Sequence, residues 1–478
     1  MSVLLASALV ASLLAPGTAT TATAATAGAC SGVPSDFDAD GRADAVITAP
    51  YATVGGGFRA GAVTVMYGVS RAEQLSQNSP DVPDSAETGD SFGSAVATGD
   101  FNGDGCADLA VGASEEFLGD REPGADGDGT VHLFYGSPRG LRPGKVLNIS
   151  GFGLRPAHDR FGAALAAGQL DGDKADELVI GAPGLDVGGG VGVYGVKGRK
   201  PYMITKATSW IGQDALNTDE FGSVLAVGDF DGNGRDEVAV GAPGDGGLRS
   251  GAGSVTILDL AARQAGVYTQ ESPNVKGAGE KWDHFGAALA VGDFNADDRD
   301  DLAIGVPGED LDANVRALEY GAGAVNVLYG SRGGLTALGS EMWTQNTHGV
   351  KGKTRYSDRF GAALAAGDFN GDGDDDLAIG APGENAVQVL AGTRSGGLTS
   401  HHNVLIPRGE RGFGGALASV RQQGNAFDDL LVGSPDDGAV VLIGGSQRKG
   451  SYPGLLDRRI RALATGPAGA LYGYALLR

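Results

Sequence analysis

The chain has 478 residues, of which 41% are hydrophobic and 84 are glycine, and its formal net charge is −23. This charge disfavours nucleic acid and anionic lipid as partners, because both are polyanions that an acidic surface repels. Beyond the N-terminal region, no segment has the roughly 18 consecutive apolar residues that a membrane-spanning helix requires. We therefore expect no membrane span and no nucleic-acid partner. We also expect a monomer.

The first residues of the chain differ in composition from the rest. Met1 to Leu14 is almost wholly apolar, and an Ala/Thr-rich tract then ends in Ala25-Thr26-Ala27. An apolar core followed by small residues is typical of a signal peptide and its cleavage site. We predict a signal peptide over residues 1–27 and a single secreted domain over residues 28–478. The segment lacks Lys and Arg, so a buried N-terminal helix is the alternative.

Two cysteines, Cys30 and Cys106, follow this segment. An even number of cysteines in an exported protein favours a disulfide. The residues before Cys30 faintly resemble a lipoprotein signal, so lipidation of Cys30 is the alternative. We expect the disulfide.

One phrase recurs along the chain, and the copy that begins at Phe360 reads FGAALAAGDFNGDGDDDLAIGAP. Its short apolar runs are bounded by Gly, Asp and Pro, which is typical of buried β-strands. With the segments between copies, each repeat predicts four strands, the number in one blade of a β-propeller. Six copies begin at Phe92, Phe161, Phe221, Phe285, Phe360 and Phe413. We expect the recurring phenylalanine to fill the wedge between neighbouring blades.

A seventh copy is split between the two ends of the chain. Asp36 opens the second half of the phrase, DFDADGRADAVITAP, and Tyr472 opens the first half, YGYALLR. In a closed ring, strands from both termini share one blade, so that no sheet edge is left open at the seam. We therefore predict an all-β fold: a seven-bladed β-propeller of four-stranded blades, closed by a blade that the N- and C-termini share.

Acidic loops follow the first apolar run of the repeats in the pattern D-x-[DN]-x-[DN]-G-x-x-[DE]. Oxygen ligands at alternate positions, closed by a carboxylate at position 9, suit a hard cation that takes about six to eight oxygens. The glycine at position 6 allows a sharp turn around the ion. Calcium is favoured over magnesium because the loops are flexible cages of protein oxygens. An acidic turn without metal is the alternative.

The loops differ in the ligands they keep. We predict about five sound calcium sites and a doubtful sixth in the third repeat, where Gln169 occupies position 1 and Lys174 replaces the glycine. The seventh loop is expected to bind nothing, because its ligand positions are read as Ser419, Arg421, Gln423 and Phe427. The predicted metal ligands are Asp36, Asp38, Asp40, Asp44, Asp100, Asn102, Asp104, Asp108, Asp171, Asp173, Glu177, Asp229, Asp231, Asn233, Glu237, Asp293, Asn295, Asp297, Asp301, Asp368, Asn370, Asp372 and Asp376.

An aspartate also recurs two residues before the repeat phenylalanine. Its five copies are Asp90, Asp159, Asp219, Asp283 and Asp358. Recurrence at equivalent positions predicts that these side chains cap turns through hydrogen bonds to the backbone. A functional carboxylate is the alternative.

The repeats resemble FG-GAP repeats, in which Phe-Gly, a calcium loop and Gly-Ala-Pro follow one another. The triplets that begin at Gly181, Gly241 and Gly380 match Gly-Ala-Pro literally. The chain is therefore similar to the FG-GAP repeat (integrin α-subunit N-terminal-like) β-propeller family, and we expect a bacterial secreted member. The resemblance implies calcium loops that stabilise the blades on one face. It also implies a secreted or extracellular location, with cell-surface association as an alternative.

Three functions are weighed. The resemblance to the integrin α propeller implies a binding or adhesion scaffold for an unidentified extracellular protein or glycan, with candidate contacts in residues 115–128, 246–251 and 309–320. A hydrolase, by analogy with GPI-specific phospholipase D, is the second. We identify no nucleophile elbow, and the sequence contains no H-E-x-x-H, so we expect no enzymatic activity. A glycan-binding lectin is the third, because Trp210, Trp282 and Trp343 either stack on sugars or pack in the core.

Overall fold

The computed structural model describes residues 30, 32–68, 71–118, 127–246, 250–311, 321–394, 396–421, 427–445, 460–465 and 470–477. The predicted signal peptide over residues 1–27 lies outside them. Within these ranges the chain forms 28 β-strands and one short 3-10 helix, Ile149–Phe152. None of the helices in the described ranges is long and apolar enough to cross a membrane.

The strands form seven antiparallel sheets of four strands each, which we number as blades in chain order. The first blade contains β1 (Ala45–Ala49), β2 (Ala62–Tyr67) and β3 (Arg71–Leu75). The second contains β4 (Phe92–Gly99), β5 (Asp108–Ala113), β6 (Thr130–Tyr135) and β7 (Arg142–Asn148). The third contains β8 (Leu165–Gly168), β9 (Glu177–Ala182), β10 (Gly190–Tyr194) and β11 (Tyr202–Ile204). The fourth contains β12 (Val224–Gly228), β13 (Glu237–Ala242), β14 (Ser254–Asp259) and β15 (Gln264–Tyr268).

The remaining blades follow the same order. The fifth contains β16 (Ala288–Gly292), β17 (Asp301–Val306), β18 (Ala324–Tyr329) and β19 (Thr336–Trp343). The sixth contains β20 (Leu364–Gly367), β21 (Asp376–Ala381), β22 (Ala386–Ala391) and β23 (Thr399–Pro407). The seventh contains β24 (Ala416–Val420), β25 (Asp429–Ser434), β26 (Ala439–Ile443) and β27 (Ile460–Thr465). The last strand, β28 (Leu476–Leu477), pairs with β1 and completes the first blade.

The second strand of each blade is the most buried part of the fold. Every residue of β5, β13 and β17 is buried, because these strands have sheet neighbours on both edges and other blades on both faces. A Cβ on Gly241 would lie 2.4 Å from the carbonyl oxygen of Gly286, and one on Gly305 would lie 2.1 Å from that of Gly361. The first residue of the Gly-Ala-Pro triplet is therefore glycine because the next blade approaches its backbone.

The recurring phenylalanine lies between blades, as predicted. All six copies are fully buried: Phe92, Phe161, Phe221, Phe285, Phe360 and Phe413. Phe413, for example, packs with Val387 of the sixth blade and Val432 of the seventh in one core cluster. The hydrophobic core of the protein is thus a series of clusters between successive blades.

The two chain ends close the ring. β28 pairs with β1 through Val46–Leu477 and Ile47–Leu476, and it also contacts the innermost strands β24 and β4. The Gly473 N–H donates to the Thr48 carbonyl oxygen at 2.8 Å, and the Gly222 N–H makes the same bond to Gly241 within the fourth blade. Tyr472-Gly473 therefore takes the place of Phe-Gly, and the predicted split repeat is confirmed.

The expected disulfide is also present. Cys30 is bonded to Cys106, with 4.8 Å between their Cα atoms. It ties the segment before the first blade to the acidic loop of the second blade.

Candidate metal centres

The acidic loops connect the first two strands of each blade. The pairs Gly99–Asp108, Gly228–Glu237, Gly292–Asp301 and Gly367–Asp376 are the last rungs between these strands. Position 9 is therefore the first residue of the second strand, and positions 1 to 8 form the connection. Because every blade runs in the same direction from the ring axis, all of these loops lie on one face of the propeller.

The side chain of the aspartate at position 1 accepts hydrogen bonds from the backbone of its own loop. In the fourth blade, Asp229 accepts hydrogen bonds from the Asn233 N–H at 3.0 Å and the Gly234 N–H at 2.8 Å, one on each carboxylate oxygen. Gly234 has a φ of 84°, which glycine adopts without strain. Each carboxylate oxygen keeps a second lone pair for a cation. The same pair of bonds forms on Asp36, Asp100, Asp293 and Asp368.

The carboxylate at position 9 is the buried member of each loop. Asp301 is fully buried and accepts from the Phe294 N–H at 3.0 Å and the Gly330 N–H at 2.8 Å. Burial, with a further contribution from the charges of Asp293 and Asp297, raises the pKa of Asp301 to about 8. Burial likewise raises the pKa of Glu237 to about 8. A cation in the loop would supply the positive charge that these carboxylates need in order to ionise.

In three loops, the distances between carboxylate oxygens match those between the ligands of one calcium ion. One oxygen from each of three side chains lies within 4.8 Å of the others in the loops of the first, third and fourth blades. Calcium binds oxygens at about 2.3–2.6 Å, so ligands on opposite sides of the ion are about 5 Å apart. The three sets are Asp36, Asp38 and Asp40; Asp171, Asp173 and Glu177; and Asp229, Asp231 and Glu237. The residues present fit a hard divalent cation.

In the other three acidic loops, position 3 is an asparagine: Asn102, Asn295 or Asn370. The Asn370 Nδ2 group donates to Asp376 at 3.0 Å, and the Asn295 Nδ2 group donates to Asp301 at 3.3 Å. These amides present nitrogen to the position-9 carboxylate, and a half-turn would present oxygen instead.

Comparison with known proteins agrees with this geometry. The model of the family described as FG-GAP repeat matches residues 31–66, 92–134, 221–258, 285–328 and 360–398. Each matched segment contains one of the five loops with an aspartate at position 1. The chain belongs to the FG-GAP repeat β-propellers.

Three curated relatives illustrate how far the similarity extends. Integrin alpha-PS2 of Drosophila melanogaster is 32% identical over 248 residues, 48% of this chain and 16% of that protein. Integrin alpha pat-2 of Caenorhabditis briggsae is 30% identical over 249 residues, 49% of this chain and 19% of the relative. Phosphatidylinositol-glycan-specific phospholipase D of Rattus norvegicus is 34% identical over 161 residues, 32% of this chain and 18% of the enzyme. The matched part of the FG-GAP propeller therefore spans less than a fifth of each relative.

The third loop of this FG-GAP propeller uses position 1 differently. The Gln169 Nε2 group donates to the Ala175 carbonyl oxygen at 2.9 Å and to Asp176 at 3.0 Å. Gln169 therefore does not cap the turn as the aspartates do. The loop still brings Asp171, Asp173 and Glu177 together, so a sixth calcium site in the third repeat stays a prediction.

The predicted positions of the seventh loop are wrong by two residues. Val420 pairs with Asp429 as Gly367 pairs with Asp376, so Arg421 is position 1 and Asp429 is position 9. The repeat that begins at Phe413 lacks the Gly-Asp pair that marks position 1 in other copies, and the register was lost there. The Arg421 Nε group donates to Asp428 at 2.7 Å, which places a guanidinium at position 1.

Sequence reasoning missed the carboxylate at position 8 of the third to seventh loops, which joins each of these loops to the loop of the preceding blade. The Asp300 N–H donates to the Asp229 carbonyl oxygen at 3.1 Å, and the Asp300 side chain accepts from the Asp229 N–H at 2.8 Å. The same clasp recurs at Asp176, Asp236, Asp375 and Asp428. The signal was visible as an acidic residue directly before position 9, but its partner lies on the preceding blade.

The aspartates before the repeat phenylalanine cap turns, as predicted. Asp283 is buried and accepts from the Glu280 N–H at 2.6 Å. The equivalent side chains accept from the N–H groups of Glu87, Ala157, Leu216 and Arg355. These carboxylates hold the chain as it enters the innermost strand.

We expect the substitution Asp283→Asn to change how stability depends on pH. Burial, followed by the charges of Glu280 and Asp310, raises the pKa of Asp283 to about 7 from the ordinary 3.8. The folded state therefore holds this proton more tightly than the unfolded state, and its stabilising effect is lost as pH rises from about 4 to about 7. Neutral asparagine keeps the acceptor for Glu280 and removes this loss.

Urea unfolding of both proteins at about pH 5 and about pH 7.5 tests this prediction. Between the two pH values, the free energy of unfolding of the variant should rise relative to that of the parent by about 1 kcal/mol or more. The limit is set by the fact that one group changes stability by at most about 1.4 kcal/mol per pH unit. Parallel pH profiles would show that Asp283 is ionised in the folded protein throughout.

Proposed function

We propose that this FG-GAP propeller is an extracellular binding scaffold whose blades are stabilised by calcium. The observation that carries the proposal is the identical turn at position 1 in five loops: Asp36, Asp100, Asp229, Asp293 and Asp368. A rigid ring with exposed loops suits the presentation of a binding surface. Similarity to integrin α subunits supports an extracellular location and a protein or glycan partner.

Charge supports calcium as the ion. Five calcium ions would carry ten positive charges against a formal net charge of −23. They would sit where the buried position-9 carboxylates otherwise hold raised pKa values. Flexible cages of protein oxygens favour calcium over magnesium, which prefers to keep several waters.

The substitution Asp229→Asn tests a single loop. Asparagine can accept the hydrogen bonds from Asn233 and Gly234, so the turn is kept while one ligand charge is lost. Calorimetric titration should show about one calcium fewer bound per chain than in the parent. Asp81→Asn, at an exposed turn residue, is the matched control and should leave the number unchanged. An unchanged number in Asp229→Asn would contradict calcium binding at this loop.

The binding surface is proposed for the longer insertions. Their central parts, residues 119–126, 247–249 and 312–320, lie outside the described ranges, so these contacts stay predictions. We propose a binding role rather than a catalytic one for this chain. The similarity to the phospholipase keeps a hydrolase testable, and turnover of a phosphodiester or ester panel by the purified protein would overturn the proposal.

A groove between the third and fourth blades favours an acidic saccharide as a second candidate ligand. It has a volume of about 570 Å³ and is lined by Arg199, Lys200, Tyr202, Met203, Ile204, Thr208, Ser209, Trp210, Leu260 and Arg263. The lining contains three cationic side chains and no carboxylate, in a protein of net charge −23. Strand β11, which contributes Tyr202, Met203 and Ile204 to the lining, has three residues, and the other outer strands have five to nine.

The three tryptophans differ in their surroundings. Trp343 is 9% exposed within a core cluster and donates to Glu341 at 2.6 Å, so it is a packing residue. Trp282 is 42% exposed. Trp210 lines the groove beside the cations, where an aromatic face can stack on a sugar ring.

A panel of sulfated, carboxylated and neutral oligosaccharides tests the groove. Sulfated or carboxylated members should bind, and Arg263→Ala should weaken that binding about tenfold or more, since a charged hydrogen bond contributes about 1.5–3 kcal/mol. Arg332→Ala, on the turn after β18 in the fifth blade, is the control. Equal binding of neutral and acidic sugars would contradict an acidic ligand.

A further inference from the structure

A second set of acidic residues lies on the face opposite the acidic loops. Asp108 is at the start of β5, on the loop face, and Glu116 follows the other end of that strand. Glu116 is 6% exposed and meets a turn from the neighbouring first blade. The arrangement of charges around this turn differs from blade to blade.

The turn follows the outer strand and repeats in four blades. The Ser76 N–H donates to the Ser79 hydroxyl at 2.9 Å, and Thr205, Thr269 and Thr344 make the same bond at 3.0 Å to the hydroxyl three residues on. The second residue of each turn is therefore structurally equivalent. These residues are Gln77, Lys206, Gln270 and Gln345, and each contacts an acidic residue 39 positions later in the chain.

In the third blade the second residue of this turn is a lysine, Lys206, whose side chain is itself a cation. The Lys206 ammonium is 2% exposed and lies 2.8 Å from Asp219 and 2.9 Å from Asp245. One buried positive charge thus serves two carboxylates that reach it from the fourth blade. The equivalent turn of the first blade has Gln77, which is neutral.

The carboxylates around Gln77 are more numerous than those around Lys206. Asp84, Glu87 and Glu116 each place one oxygen within 4.8 Å of the others. The Gln77 Nε2 group lies 2.5 Å from Glu116 and 3.4 Å from Asp84. Among the described residues, no lysine or arginine forms an ion pair with these three carboxylates, and His132 Nε2 lies 3.3 Å from Asp84.

A buried polar atom without a partner belongs to the same side chain that contacts these carboxylates. Gln77 is 1% exposed, and its Oε1 atom has no hydrogen-bond partner. Oε1 belongs to the same amide whose nitrogen contacts Glu116 and Asp84, so a half-turn of the amide places this oxygen among the carboxylates. An amide oxygen repels carboxylates unless a cation lies between them, and leaving it unpaired when buried costs about 1–3 kcal/mol.

We propose that Asp84, Glu87, Glu116 and the amide oxygen of Gln77 bind a calcium-class divalent cation between the first and second blades. The cation takes the place that the Lys206 ammonium fills between the third and fourth blades. Carboxylate and amide oxygens are the ligands that such a hard cation prefers.

The proposal is confined to one interface. The Gln270–Glu309 and Gln345–Glu384 pairs have similar contacts, at 2.6 and 2.7 Å, and the Oε1 atoms of Gln270 and Gln345 also lack a hydrogen-bond partner. Within the described ranges, neither pair belongs to a group of three carboxylates that meet within the same distance. They provide matched controls in the same chain.

The substitution Gln77→Lys tests the proposal by supplying the ammonium that Lys206 supplies elsewhere. Calcium bound per chain, measured by elemental analysis after dialysis of the full chain, should fall by one relative to the parent. In EDTA the variant should melt at a higher temperature than the parent. Gln345→Lys should leave the calcium content unchanged.

A second variant covers the case in which Gln77→Lys fails to fold. Glu116→Gln removes a ligand and is nearly isosteric, and it should also lose one calcium. Unchanged calcium content in either folded variant, checked by circular dichroism, would overturn the proposal. The loop variant Asp229→Asn separates the two kinds of site. If Asp229→Asn loses an ion and the variants of Gln77 and Glu116 do not, calcium binding by the loops is supported and the second site is contradicted.

Discussion

Removal of calcium with EDTA should lower the melting temperature of the propeller more than any single substitution. Each loop ion contributes about 2.7 kcal/mol when the free ion exceeds its Kd a hundredfold, and five loops carry the position-1 aspartate. Without ions, carboxylates within 4.8 Å of one another repel or must hold protons. The loss should therefore exceed about 10 kcal/mol and remove most of the stability of an ordinary domain.

Thermal unfolding followed by circular dichroism in EDTA and in calcium measures this effect. Calcium added back in excess should restore the original transition. Magnesium at the same concentration is the matched control and should restore less of it. Identical curves in EDTA and calcium would contradict ion-dependent stability.

Deletion of residues 472–478 should destroy cooperative unfolding, although it removes a short terminal segment. The deletion takes away β28, the innermost strand of the first blade, which contacts β24 and β4 on either side. It also removes Tyr472, which is 7% exposed and packs with Ala49 and Leu431 in the core cluster at the seam. Burial of Tyr472 alone contributes about 1.5–3 kcal/mol, and the partly buried Leu476 and the opened sheet edge add to the loss.

The control for this deletion removes Arg478 alone and keeps β28. It should melt like the full chain, and the longer deletion should show a broad, low-temperature transition and bind hydrophobic dyes. A sharp transition at the original temperature in the longer deletion would mean that the ring does not depend on its shared blade.

Repetition explains why so much of the fold was predictable. A phrase that recurs six times and is completed by Asp36 and Tyr472 specifies blades, ring closure and wedge residues together. Each of these is local to one repeat or to its joined ends. Phe413 and Tyr472 therefore lie where their equivalents predict.

The features that the sequence did not reveal are contacts between blades. Asp300 grips the loop of the preceding blade through Asp229, and Lys206 neutralises a carboxylate 39 residues away. Neither partner can be chosen from spacing until the ring geometry is known. The predicted positions of the seventh loop were wrong for a different reason. Arg421 stands where the other repeats have the aspartate or glutamine that marks position 1.

Anomalous scattering from crystals grown in calcium tests the central claim most directly, because it locates each ion. Peaks should lie in the loops that contain Asp36, Asp100, Asp229, Asp293 and Asp368, and no peak should lie beside Arg421. Five acidic loops without anomalous density, in crystals that contain calcium well above millimolar concentration, would contradict the account.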